Sequence, residues 1–339
     1  GQEALERASD LIPKQKLRII KLQNKDANDE LRELGIEALR QAYDNAERVL
    51  PKGLVLGSQI DKEKLLTTSP EGYKLCFTGL SEAIKGLKKG KLMLVGGGSN
   101  IGKSPVLREI GLGLYQDYPE LKIANIYLEE DQKVTPNTWI AMALGIPLGD
   151  FVQNPLGYCS KEIYDELYDV YVATDRVAFT DSQFDLDNKK FLQLVEYLAE
   201  IEKYDIILLD HISLVVASSH TGDSEVRMID ELMKNLRSII RKTQVTVIAA
   251  CHLSNPAMGI DWEDGREVKQ KDFRGSGALR QYPDIMVGIE RNMRDPQTKD
   301  QSRLRIIKNR EYGANVGVCD ILLYNETTGR LINSDKFFG

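Results

Sequence analysis

Hydrophobic positions along this chain follow two alternating rhythms. Apolar runs of strand length end in glycine, acidic or histidine residues. Leu92–Val95 runs into Gly96–Gly98, Lys122–Leu128 into Glu129, Tyr204–Leu209 into Asp210, and Thr246–Cys251 into His252. Between them, apolar residues recur at three- and four-residue intervals. That spacing predicts helices from Lys103 to about Tyr115 and over Lys161–Val172, Leu186–Lys203 and Ser224–Lys242. A short helix around Ser81–Lys85 precedes the first of these strands, and the end of the chain is strand-rich, with Ile285–Glu290, Leu304–Lys308 and Val318–Tyr324. Strand–helix alternation predicts an α/β fold with an open, mainly parallel central sheet whose ligands bind at the strand carboxyl ends. The unbroken apolar run before Asp210 fits a parallel strand covered on both faces.

The first seventy residues read differently. A helix over Glu3–Leu11, stopped by Pro13, and a strand over Lys16–Leu22 cannot bury a core between them, so they read as the end of a larger domain. Ile36, Leu39, Tyr43, Ala46 and Leu50 form one apolar face, which predicts a helix over Ile36–Leu50 stopped by Pro51. Such a stripe must be covered, either by its own domain or by a neighbouring subunit. At the other end, Leu253–Phe273 is the longest irregular stretch, a length at which loops are usually functional.

Composition narrows the class. The 339 residues are 42% hydrophobic and 28% charged, with net charge −6, as in an ordinary globular protein. No run approaches the roughly 18 apolar residues of a membrane span, and no signal peptide precedes the first helix. Cys76, Cys159, Cys251 and Cys319 are scattered without a C-x-x-C, which favours a reducing cytoplasm over a zinc site or disulfide frame. The sequence pI near 5.4 argues against a broad basic surface, so any nucleic-acid contact must be local.

The chemistry starts at Gly97. Gly97, Gly98, Ser99, Asn100, Ile101, Gly102, Lys103 and Ser104 satisfy the G-x-x-x-x-G-K-[ST] pattern of a phosphate-binding loop. Glycines let several backbone N–H groups converge on one anion at a helix N-terminus. Lys103 reaches the β- and γ-phosphates, and the Ser104 hydroxyl joins the shell of a bound Mg²⁺. Asp210, at the end of a second strand, stands where an acid holds that Mg²⁺ through water. Glu129 and Glu130 end a third strand; adjacent residues face opposite ways, so one of the two is expected to activate water, and spacing does not choose between them. His252 leaves a fourth strand and reads as a γ-phosphate sensor. Arg310 is a candidate arginine finger for a neighbour's nucleotide.

Taken in order, these segments resemble the helicase half of the bifunctional primase–helicases of short-tailed phages and, more distantly, the mitochondrial helicase Twinkle and the DnaB group. The resemblance is carried by Cys76–Gly79, the phosphate-binding loop, Leu128–Glu130, Leu208–Ser213, Met228–Asp230, Cys251–Leu253, residues 274–281, Glu290–Asn292, Lys308–Arg310 and Tyr324–Gly329. It implies a RecA-like nucleotide-hydrolysing core over 73–339, a linker with a subunit-docking helix over 28–72, and a remnant of a TOPRIM primase domain over 1–27. It also implies a homo-oligomeric ring, a hexamer or heptamer, with single-stranded DNA in its channel and ATP or dTTP as substrate. A primase domain and a replicative DNA polymerase would be partners, in a bacterial host cytoplasm if phage-encoded. By motif position Glu129 becomes the general base. Gln281 joins His252 in sensing the γ-phosphate or relaying its state, Arg310 and Arg291 act on the neighbour's nucleotide, Tyr324 packs on the base, and Lys269, Lys271, Arg274, Gly275 and Ser276 face DNA.

Three departures stand out. Pro105 follows Ser104; it has no N–H and disfavours a helical residue before it, so a phosphate donor is lost and a shifted helix start is expected. In 253–273 the acids Asp261, Glu263, Asp264, Glu267 and Asp272 outnumber Arg266, Lys269 and Lys271, which predicts weak DNA affinity with a shallow salt slope. No arginine near Pro147 is placed to cover the base from its other side. Competing readings are a RecA/KaiC-type switch or filament ATPase and a weakly catalytic nucleotide-binding ring.

Overall fold

The computed structural model describes residues 7–8, 11–13, 16–50, 54–68, 70–131, 133–180, 187–217, 224–254, 256, 259–273 and 277–334. The chain separates into two units, 1–69 and 70–339.

In the first unit, β1 (Arg18–Ile19) pairs antiparallel with β2 (Glu47–Arg48), and a helix over Ala27–Asp44 lies between them in sequence. Asp26 caps that helix by accepting from the N–H groups of Asn28 and Asp29. Gly35, at φ +82°, splits it into two segments. The helix predicted to run to Leu50 therefore ends at Asp44: the Asn45 N–H donates to the Gln41 carbonyl and the Ala46 N–H to that of Tyr43, and Glu47 and Arg48 are drawn into the ladder with β1. Apolar periodicity could not register that ladder. The strand expected over Lys16–Leu22 is only Arg18–Ile19, and most of the helix expected over Glu3–Leu11 lies outside the described residues. Leu31, Leu34, Ile36 and Tyr43 are exposed.

The second unit is built on a nine-stranded sheet. Its strands in chain order are β3 (Leu92–Gly97), β4 (Ile123–Tyr127), β5 (Val177–Phe179), β6 (Ile206–Asp210), β7 (Thr246–His252), β8 (Ile285–Arg291), β9 (Gln301–Asn309), β10 (Gly317–Asn325) and β11 (Arg330–Asn333). Across the sheet the order is β11-β10-β9-β8-β3-β7-β6-β4-β5. The six strands from β8 to β5 are parallel, and β9, β10 and β11 extend the sheet antiparallel. Every residue of β3, β4 and β6 is buried, as their unbroken apolar runs require. Sequence reading did not find β5 or β11, which are too short to carry a period.

Two buried ion pairs fix what lies around the central strand. Glu109, on the helix Lys103–Asp117, accepts from the Arg330 guanidinium at 2.7 and 2.8 Å and from the Leu331 N–H at 2.9 Å, tying that helix to β11. Asp284, just before β8, accepts both guanidinium nitrogens of Arg237 and the Leu92 N–H at 3.0 Å, which pins the start of β3. Each side chain leaves no charge unpaired in the core, where a lone charge costs several kcal/mol.

The stretch 253–273 is better fixed than its sequence suggests. Leu253 bridges to Phe273, the Ser254 N–H donates to the Asp272 carbonyl at 2.7 Å, and the Val268 N–H donates to the Glu290 carboxylate at 3.1 Å. Trp262, Val268 and Phe273 are buried in the main core.

Candidate nucleotide-binding site

Five neighbouring parallel strands, β8, β3, β7, β6 and β4, bring their carboxyl ends to one cavity of about 590 Å³. The loop from Ser99 to Ser104 forms one wall. Its geometry depends on two positions in the left-handed region, Asn100 at φ +59° and Gly102 at φ +111°. The second is a conformation that side chains rarely adopt, and it makes Gly102 the cap of the helix beginning at Lys103. Gly98 meets a different constraint: a Cβ there would stand 2.4 Å from the Trp262 Cβ, so the loop rests directly on the 253–273 stretch.

The helix start is not shifted by Pro105. It begins at Lys103, and its first backbone bond, Val106 N–H to Gly102 carbonyl at 3.1 Å, spans the proline. Pro105 occupies the first turn, where N–H groups have no helical acceptor, so the ring costs the helix nothing while still removing one donor from the anion site.

Lys103 is buried, and its ammonium donates to the carbonyls of Gly97 at 3.3 Å and Gly98 at 2.7 Å. Burial lowers its pKa, opposed by the charges of Asp210 and Glu129 nearby. Asp210 is itself buried at the end of β6 and lines the cavity with Ser104. Cys251 lies close as well, but burial pushes its thiol up to about 12 and keeps it protonated.

The two glutamates after β4 part company. Glu130 ion-pairs with Arg108, and its other oxygen accepts from the Thr135 hydroxyl at 2.8 Å. Glu129 lines the cavity with its side chain 63% exposed, and its Oε1 lies 3.2 Å from Nε2 of His211. His211 went unassigned in the sequence, although it adjoins Asp210 and is one of only three histidines. Its side chain is 7% exposed, and burial lowers its pKa, so the imidazole is neutral near pH 7. The His252 ring stands edge-on to it, with centroids 4.1 Å apart. Arg108, also unforeseen, lines the cavity over the Tyr127 ring.

Arg291 and Tyr324 reach the same cavity from the far side of β3, through β8 and β10. Arg291 thus faces this chain's own cavity, with its Nε held by the Lys299 carbonyl. Gln281 and Arg310 do not line it. They sit together at the opposite edge of the sheet, where the Arg310 guanidinium donates to the Gln281 carbonyl. Lys269 and Lys271 are exposed, whereas Arg274, Gly275 and Ser276 lie outside the described residues.

Phosphate-binding loop, acid and histidine on adjacent parallel strands, with an aromatic residue at the cavity rim, suit hydrolysis of a nucleoside triphosphate. Residues 72–329 match the DnaB-like helicase C-terminal domain family. The chain belongs to this family. Among its relatives, the DNA helicase/primase of Enterobacteria phage T3 is 32% identical over 339 residues, 98% of this chain and 58% of that protein. The chain therefore spans little more than half the length of that relative. Two solved structures share the fold at 18% identity and TM-score 0.64. One, an isolated ATPase domain, is matched over 88% of this chain and 97% of that one. The other, a DnaB-like replicative helicase solved with its interactions with primase, is matched over 98% and 73%. The α/β fold with a mostly parallel sheet is that of these RecA-like domains. No helix among the described residues is long and apolar enough to cross a membrane.

Proposed function

We propose that this chain is the motor of a ring-forming replicative DNA helicase, which hydrolyses ATP or dTTP to move along single-stranded DNA and part the duplex. One observation carries the reading: the phosphate loop, Glu129, Asp210 and His252 line one cavity, while Arg310 lies across the sheet from it. Arg310, on the far side of the sheet, is then placed to act in a neighbour's cavity, as an arginine finger that adds to the charge stabilisation from that cavity's own Lys103 and Arg291. Family membership supports this over a switch-type ATPase.

In this mechanism Lys103 exchanges its two carbonyl acceptors for phosphate oxygens, which adds the attraction of opposite charges to a bond whose donor is already ionised. The hard oxygens of Ser104 and Asp210, beside Lys103, suit Mg²⁺, which when bound neutralises β- and γ-phosphate charge. Glu129, the only one of the two glutamates facing the cavity, orients and activates the attacking water, and His252 faces the γ-phosphate. Tyr324 packs against the base.

The 253–273 stretch suits DNA better than its composition implied. Three of its five acids have basic partners from a later segment, Asp264 and Glu263 in Arg294 and Glu267 in Arg305, while Asp272 accepts from the Lys269 N–H and Asp261 is exposed. Exposed Lys269 and Lys271 then supply local phosphate contacts. The exposed apolar residues of the helix Ala27–Asp44 suit docking on an adjacent subunit in a six- or seven-membered ring.

The test is hydrolysis with and without single-stranded DNA, beside Glu129→Gln. Strong stimulation by DNA, abolished in the variant, is expected. Hydrolysis indifferent to DNA would overturn the motor reading in favour of a switch-type ATPase. No hydrolysis would leave a nucleotide-binding ring.

A further inference from the structure

We propose that Glu129, His211 and His252 together bind one borderline transition-metal dication, Zn²⁺ foremost, at a site separate from the oxygen donors that suit Mg²⁺. Each of the three side chains offers a ligand atom, and these atoms lie within 4.8 Å of one another. A tetrahedral dication with bonds of about 2.0–2.2 Å sets its donors roughly 3.4 Å apart. Glu129 Oε1 and His211 Nε2 already stand at 3.2 Å. The exposed Glu129 carboxylate turns at little cost, and the two imidazoles stand edge-to-face with centroids 4.1 Å apart.

Nδ1 of His211, the nitrogen not turned to Glu129, has no hydrogen-bond partner among the described residues, so nothing there holds the ring in one tautomer. With the proton on Nδ1, Nε2 offers its lone pair to a metal.

The donor set decides which ion. Two imidazoles and one carboxylate suit Zn²⁺, Co²⁺ or Ni²⁺, whereas Mg²⁺ requires near-octahedral oxygen ligation. Three protein ligands facing a cavity leave a fourth position for water or a phosphate oxygen, unlike a closed structural zinc site. Occupancy ties up Glu129 and His252 at once. Under the proposed function, the loaded chain is therefore arrested in hydrolysis. The binding itself does not depend on that reading.

The experiment uses the full chain, free of nucleotide, with Mg²⁺ in millimolar excess. Zn²⁺ is titrated calorimetrically, and Co²⁺ is followed by its visible absorption. One ion per chain is expected in the parent protein and in Cys159→Ser, with affinity at least about tenfold lower in His211→Ala and in Glu129→Gln. Circular dichroism checks the fold of each variant. Because the Glu129 side chain is exposed, Glu129→Gln reads the site even if His211→Ala fails to fold. Absence of binding by the parent protein, or binding unaltered in both variants, overturns the proposal. Either result holds whether or not the chain hydrolyses nucleotide.

Discussion

The backbone N–H of Arg310 donates to the carbonyl of Asp284 at 2.9 Å, and its guanidinium lies 3.8 Å from the Asp284 carboxylate. Asp284 immediately precedes β8, and Arg291 at the other end of β8 lines the cavity. Seven strand residues separate the two edges, roughly 20 Å at about 3.3 Å per residue. Arg310 is thus too far from its own chain's cavity to touch a nucleotide in it.

Arg310→Ala is accordingly expected to lower hydrolysis by about 10³-fold or more while leaving nucleotide affinity nearly unchanged. Mixing it with Lys103→Ala is the sharper check. Some interfaces in the mixed ring pair an intact Lys103 with an intact Arg310, so activity is partly restored. A mixture as inactive as its components means that Arg310 does not act across subunits.

The two glutamates after β4 separate chemistry from folding. Glu129→Gln is expected to cut the hydrolysis rate by about 10²–10⁴-fold with an unchanged melting temperature. Glu130→Gln strands Arg108 and is expected to lose about 3–5 kcal/mol of stability, read by denaturant unfolding. Equal loss of rate with no loss of stability in both variants would contradict this division.

Asp284 holds Arg237, Arg310 and the start of β3 at once. Asp284→Ala leaves the buried Arg237 uncompensated and is expected to destabilise by about 3–5 kcal/mol. Denaturant unfolding of Asp284→Ala, Arg237→Met and the pair checks it: the double variant should be more stable than Asp284→Ala alone, since no charge is left stranded.

Glu311 supplies a pH signature. Burial alone would raise its pKa, but hydrogen bonds from Lys88 and Lys91, with their charge, hold it at about 2. A carboxyl depressed in the folded state contributes stability above its ordinary value of 4.5, and that contribution is lost as pH falls from 4.5 toward 2. Glu311→Gln should flatten the acid limb of the stability curve in that window and leave the neutral limb parallel to the parent's.

The DNA contact is read by salt. If Lys269 and Lys271 each neutralise one phosphate, Lys269→Ala and Lys271→Ala should each reduce the slope of log K against log salt by about 0.7 on single strands. An unchanged slope in both would remove this stretch from the DNA contact.

Much of this was decided by local sequence. Apolar runs without alternation located β3, β4, β6 and β7, because a strand buried on both faces needs them, and the spacing from Gly97 to Ser104 located the phosphate loop. Glu129, Asp210 and His252 were legible because each ends such a strand, and parallel strands bring their ends to one edge. Tertiary structure decided what depends on partners distant in the chain. Spacing did not choose between Glu129 and Glu130, and the resemblance pointed to Glu129; the structure adds that Glu130 is engaged by Arg108, 22 residues earlier in the chain. His211 gained significance only when β6 and β7 set it beside His252. Glu263, Asp264 and Glu267 of the 253–273 stretch lie beside Arg294 and Arg305, from a later segment, a pairing that linear reading could not supply. Gln281, read beside His252, lies across the sheet from the cavity, together with Arg310, which was read as reaching a neighbour's nucleotide. A side chain's type is fixed by its codon and its local fold by a few neighbours, but its electrostatic surroundings are set by whatever the sheet brings within several ångströms.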